Sequence, residues 1–184
     1  MKRRIVVLSL CSSFMAGAQV SQAVPSETEV VAWIRQPGGE VVFDDDPAML
    51  RVFKDLRSLD RRLTGVTDKG LVRLGALRTL RTLNLFRTTI SDAGLVHLLP
   101  LTALETLLVG GTRMSDQGMS TILALSALKK VSIFDTRVGD EGALQLATLG
   151  QLTVMLVDRS LVTDVGRSKI LAIRPGLSFS ESNT

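Results

Sequence analysis

Cysteine is nearly missing from this chain of 184 residues, which holds one, Cys11, beside one Trp, one His and no Tyr. A lone thiol cannot close an internal disulfide, so the chain must hold together by packing. The single histidine, His97, falls inside "GLVHLL" on the outward face of a helical pattern, and the sequence supplies none of the partners a catalytic base needs. The 15 glycines recur by period and never cluster into a phosphate-binding loop. With no nucleophile–base pair, ligand cluster or phosphate loop, we expect neither an enzyme nor a bound cofactor or metal.

The first residues, "MKRRIVVLSLCSSFMAGAQVSQAVPSE", run from Lys2, Arg3 and Arg4 through an apolar stretch to small residues near Ala18 and Ala23. That is the layout of a secretory signal peptide, and its apolar run is short for a membrane span. Cleavage after Ala18 or Ala23 fits, with Ala23 favoured, and residues 1–23 are assigned to the signal. Leu10 ahead of Cys11 is too large for a lipoprotein processing site, which leaves Cys11 inside the discarded peptide. Losing Lys2, Arg3 and Arg4 leaves 19 basic against 18 acidic residues in a mature chain of 161. So little net charge argues against nucleic acid as the partner. The expected location is outside the cytoplasm, periplasmic or secreted, with no membrane insertion after cleavage.

What the chain does have is a period. "TGVTDKGL" begins at Thr64, and "TTISDAGL", "TRMSDQGM", "TRVGDEGA" and "SLVTDVGR" follow at Thr88, Thr112, Thr136 and Ser160, each 24 residues after the last. Asp68, Asp92, Asp116, Asp140 and Asp164 form one column, and Gly70, Gly94, Gly118, Gly142 and Gly166 another. Ahead of each copy lie apolar residues two apart, such as Leu83 and Leu85 or Leu107 and Val109, the spacing of one face of a short strand. After the Asp and Gly the spacing becomes three, as in Leu95, Leu98 and Leu101, which is a helix stripe. Each unit reads as strand, turn, short helix and return, and stacked units share one core.

The pattern LxxLxLxxTxITDxGLxxLxxL resembles the leucine-rich repeat family, in the Thr-containing form common in exported bacterial proteins and similar to the repeats beside F-box domains. The resemblance covers residues 56 to about 174. It implies an α/β fold, a right-handed leucine-rich repeat solenoid that is curved, with a parallel concave sheet, convex helices and an N-terminal cap. The solenoid is placed at 58–174 with about five repeats, the cap at 24–57 and a frayed tail at 175–184. In that frame the Thr column is expected to bond the backbone of a neighbouring turn, and Thr67, Ser91, Ser115 and Thr163, or the Asp that follows, to cap the helices. The Gly column marks a close approach of the helix and strand layers.

Within 24–57, Ser26 and Glu29 form a capping box for a helix ending before Pro37, with Trp33 as its core anchor. Asp44, Asp45 and Asp46 match no EF-hand spacing and read as a solvated turn. Arg61 falls in an inward strand column, which leaves the register of 50–62 open, and Arg167 stands where the helix stripe calls for an apolar residue.

Function in such a solenoid is expected on outward-facing strand positions. One column reads Arg62, Phe86, Gly110, Phe134, Asp158. Two Phe about 10 Å apart on alternate strands, with Gly110 between them, would leave an apolar notch. Asn84, Phe86, Arg87, Leu108, Gly110, Ser132, Phe134 and Asp135 are therefore the candidate partner-binding residues. The partner is expected to be a macromolecule, a protein, on the concave face. A structural envelope component without a discrete ligand is the alternative. An F-box-type adaptor is disfavoured by the signal peptide and the lack of room for an F-box.

Overall fold

The computed structural model describes residues 57–62 and 65–179. The signal peptide, the N-terminal cap with Trp33 and the Asp44–Asp46 run, and residues 180–184 lie outside the described residues. Five three-residue strands alternate with short helices: β1 Ser58–Asp60, α1 Asp68–Leu74, β2 Thr82–Asn84, α2 Asp92–Leu95, β3 Thr106–Leu108, α3 Met119–Leu123, β4 Lys130–Ser132, α4 Asp140–Leu146, β5 Val154–Leu156 and α5 Asp164–Ile173. A 3-10 turn, Val96–Leu98, continues α2, and another, Asp116–Gly118, leads into α3. The strands form one open parallel sheet in chain order. Every pair is in 24-residue register: Leu59 lies beside Leu83, Leu83 beside Leu107, Leu107 beside Val131 and Val131 beside Met155. That settles the register of residues 58–60.

The sequence columns are the core. Leu59, Leu83, Leu107, Val131 and Met155 are fully buried, as are Leu85, Val109 and Ile133 two residues on. The helix stripes, Leu95, Leu98 and Leu101 and their counterparts, close the other side, and Ile90, Met114 and Val138 fill the corner between. At about 1.5 to 3 kcal/mol for each large side chain removed from water, these columns dominate the stability of the stack. Arg61 also lies inside, buried at the strand column where the other repeats place Leu85, Val109 and Ile133. Burial holds its guanidinium below the usual value, with neighbouring Asp60 pulling the other way.

Two columns act differently from what the sequence suggests. Among the described residues the hydroxyls of the Thr column bond within their own repeat rather than to a neighbouring turn. Each donates to the carbonyl three residues back in its own repeat: Thr88 to Leu85 at 2.8 Å, Thr112 to Val109 and Thr136 to Ile133 at 2.6 Å, and Ser160 to Val157. The strand ends in a tight turn there, and the short side chain sits inside it. The Asp column makes the bond between repeats instead. Asp68 accepts from the backbone N–H of Ser91 at 2.7 Å and from its hydroxyl at 2.6 Å. Asp92 does the same to Ser115 at 2.9 and 2.6 Å, and Asp140 to Thr163 at 2.7 Å for both. Asp116 meets Gly139 and has only the N–H, at 2.8 Å.

This clasp explains the Gly column. A Cβ at Gly94 or Gly166 would collide with the carboxylate of Asp68 or Asp140 from the preceding repeat. The crowding partner is therefore the preceding repeat's carboxylate rather than the strand layer. Capping of the helices is partial: Ser115 accepts from Gln117 N at 3.3 Å and Thr163 from Gly166 N at 3.1 Å, while Ser91 makes no cap bond.

The packed chain continues past 174, where fraying was expected. Leu177 is buried, and Ser178 exchanges backbone bonds with β5, donating to Thr153 O and accepting from Met155 N. Arg174 reaches back to the carbonyls of Leu149, Gly150 and Leu152 at 3.0, 3.2 and 2.8 Å. Arg167 pairs with Asp158 at 3.0 Å and lies 5.8 Å from the centre of the Phe179 ring. A polar residue stands at the helix-stripe position because it holds this last turn in place.

Candidate functional site

Strand residues that point away from the core share the sheet face, and the turn after each strand fixes what lies beside them. The residue three positions past each of β2 to β5 is left-handed: Arg87 at φ 53°, Gly111 at 67°, Asp135 at 53° and Arg159 at 57°. Only Gly111 adopts this conformation without a side-chain penalty. The turn geometry is shared, so three polar side chains are held in it by the stack around them.

Those turns bring Phe86 and Phe134 together. Their ring centres are 6.0 Å apart with planes tilted by 42°, within the separation of interacting aromatic pairs. Arg87 lies 5.3 Å from the centre of the Phe86 ring and Arg159 5.7 Å from that of Phe134. The notch expected between two separate rings is therefore closed. Gly110 is buried beneath the pair, and a Cβ there would stand 2.9 Å from Phe134 O and 3.1 Å from both Phe134 Cβ and Phe86 Cδ2. Phe134 is 5% exposed, so most of its ring is covered, while Phe86 stays half-buried. With no side chain at Gly110 to keep them apart, the rings cover each other's apolar surface.

The other candidates lie around this pair. Asn84, at the end of β2, accepts from the backbone N–H of Phe86 at 3.1 Å, so its side chain shapes the turn. Leu108, at the end of β3, is half-buried, and Ser132, its neighbour on β4, is buried. Asp135 faces Arg159, with Oδ1 3.8 Å from Nε. A rim before the strands was missed: Arg81 and Lys129 both bond Glu105, Lys129 at 2.9 Å. The two cations, Lys129 first, hold the Glu105 carboxyl below its usual value. These three are 24 apart and alternate in sign, a signal present in the sequence. His97 sits on the helix side in the 3-10 turn after α2. Among the described residues no three His, Cys, Asp or Glu side chains are grouped to hold a metal.

The leucine-rich repeat family profile matches residues 76–99, one full period. An internalin from Listeria monocytogenes has the same architecture, at TM-score 0.60 and 25% identity over 77% of this chain. This chain is a leucine-rich repeat protein. The leucine-rich repeat protein LIC12759 of Leptospira interrogans shares the fold at TM-score 0.53 and 16% identity, over 76% of this chain and 40% of its own length. This leucine-rich repeat chain spans 39% of the internalin. Comparison with curated proteins finds no match. The family places the sheet face of this solenoid on the concave side and its helices on the convex side. No helix among the described residues is long and apolar enough to cross a membrane.

Proposed function

We propose that this protein is an exported, non-enzymatic leucine-rich repeat protein that binds a protein partner through its concave face. Residues 1–23 act as the export signal and 24–57 as the N-terminal cover of the stack. The observation that carries the reading is the contrast between columns. Buried and clasp columns repeat their chemistry at nearly every step, whereas the concave column runs Phe86, Gly110, Phe134, Asp158. That column builds one tilted aromatic pair beneath two guanidiniums, on turns held in a left-handed conformation. A rigid aromatic–arginine surface is the composition enriched where proteins bind proteins. The fold commonly mediates such binding.

A photo-crosslinking residue placed at Leu108 or Thr106, on the concave face, and at Ser120, on the convex helix α3, tests this in the native host. One protein adduct from the concave positions, absent from Ser120, supports the reading. Adducts from Ser120 alone, or from none of the three, sink it. A second reading, a structural envelope component, is favoured by Leu161, Val165, Leu171 and Ile173, four large apolar side chains exposed on the last repeat. Self-adducts at Val165 with none at Leu108 would select it. N-terminal sequencing of the protein from its host tests export: the reading expects a start near Val24, and an intact Met1 would end it.

A further inference from the structure

Charge on the concave side is unbalanced in the three central repeats. Residues 81–87, 105–111 and 129–135 carry four cations, Arg81, Arg87, Lys129 and Lys130, against two carboxylates, Glu105 and Asp135. Glu105 is shared by Arg81 and Lys129, and Asp135 faces Arg159. Among the described residues neither Arg87 nor Lys130 has an ion-pair partner. The carboxylates of Asp68, Asp92 and Asp140 lie at the strand-to-helix corners, where each is bonded to the next repeat.

Arg87 and Lys130 flank apolar surface. Lys130 opens β4 and stands in register with Thr82, five residues before Arg87 and two strands away. Strand spacing and rise place the two positions at most about 19 Å apart, a span of about six residues of extended chain. Between them lie the half-buried side chains of Leu108 and Phe86.

We propose that the partner presents an acidic segment to this face: carboxylates about six residues apart that meet Arg87 and Lys130, and an apolar side chain between them that lies on Leu108 and Phe86. This rests on the concave-face reading above and adds the chemistry of the partner. A sulfated polysaccharide would satisfy the cations and leave Leu108 and Phe86 uncovered, so an apolar contribution separates the two.

The test uses the full chain and three fluorescent peptides of one length, each with a central Leu, flanked about six residues apart by Glu, Gln or Lys. Anisotropy should show the Glu peptide binding about tenfold or more tighter than the Gln peptide, and the Lys peptide weakest. Raising salt from about 50 to about 500 mM should weaken the Glu peptide. Lys130→Glu and Arg87→Glu should each weaken it about tenfold, Leu108→Ala severalfold, and Lys69→Glu on α1 should leave it unchanged. Equal binding of Glu and Gln peptides, no binding of any, or equal losses from Lys69→Glu and Lys130→Glu would overturn the proposal. So would a sulfated polysaccharide that displaces the Glu peptide while Leu108→Ala has no effect. The crosslinks from Leu108 are independent of these peptides: adducts on a neutral or basic partner segment refute the acidic partner and leave the concave reading standing.

Discussion

The clasp row and the concave column are built on the same period and differ in what they do with it. In the clasp row Asp68, Asp92, Asp116 and Asp140 each hold the following repeat, with nearly identical distances at every step. In the concave column Phe, Gly, Phe and Asp occupy equivalent places, and two of them collapse onto each other across a third. A repeated residue yields a repeated bond, and a varied one yields a single local structure. Stability is thus distributed along one side of the molecule and individuality is concentrated on the other.

The largest expected break of this contrast comes from Gly110→Trp. Its Cβ alone would crowd Phe134 O and both rings, so we expect a loss of about 3 kcal/mol or more, read from denaturant midpoints. A variant as stable as wild type would mean the pair separates freely. Thr112→Val removes a hydroxyl that bonds Val109 O inside a buried turn and should cost about 1 to 3 kcal/mol. A cost below about 0.5 kcal/mol would show that the carbonyl finds another donor.

Much of this was legible in the chain itself. The 24-residue period placed β2 to β5, the helix stripes and the buried columns, because burial follows periodicity, while buried Arg61 left the register of β1 open. Less visible was the partner of each column. That Asp68 would bond Ser91, or that Gly94 would be needed to admit Asp68, depends on how consecutive turns stack, and spacing along the chain does not encode that distance. The closed Phe86–Phe134 pair was misread for a similar reason: strand spacing sets where two Cα atoms lie, while ring directions follow from the turns and the empty place at Gly110. Arg174 and Leu177 fell in a stretch expected to fray because the last repeat departs from the pattern.

Smaller effects sharpen the comparison. Gly139 is the one clasp position without a hydroxyl, its backbone is extended at φ −103°, and a Cβ there would stand 3.5 Å from Asp116 Oδ2, ordinary contact. Gly139→Ser should complete the clasp and raise stability by about 1 kcal/mol, visible as a higher melting temperature. A lower one would refute the account of the row.

The Thr163 hydroxyl, then its N–H, hold the Asp140 carboxyl below its usual value. A carboxyl lowered on folding adds stability above its unfolded value, near 3.9, and loses it as pH falls through the lower folded value. Asp140→Asn should therefore flatten the stability curve below about pH 4 and leave its shape near pH 7 unchanged. Curves of equal slope in acid would show that this carboxyl contributes nothing. Finally, Arg87→Gly relieves a left-handed non-glycine residue and should gain about 0.5 kcal/mol while weakening peptide capture. Gain without loss of capture would remove Arg87 from the contact surface.

Every clasp points one way along the chain: the carboxylate comes first and its donors 23 residues later. The acceptor of each of these repeats is therefore satisfied only by the repeat that follows it in the chain. A stack cut after one of these repeats would expose that repeat's acceptor at its end, whichever repeat folds first.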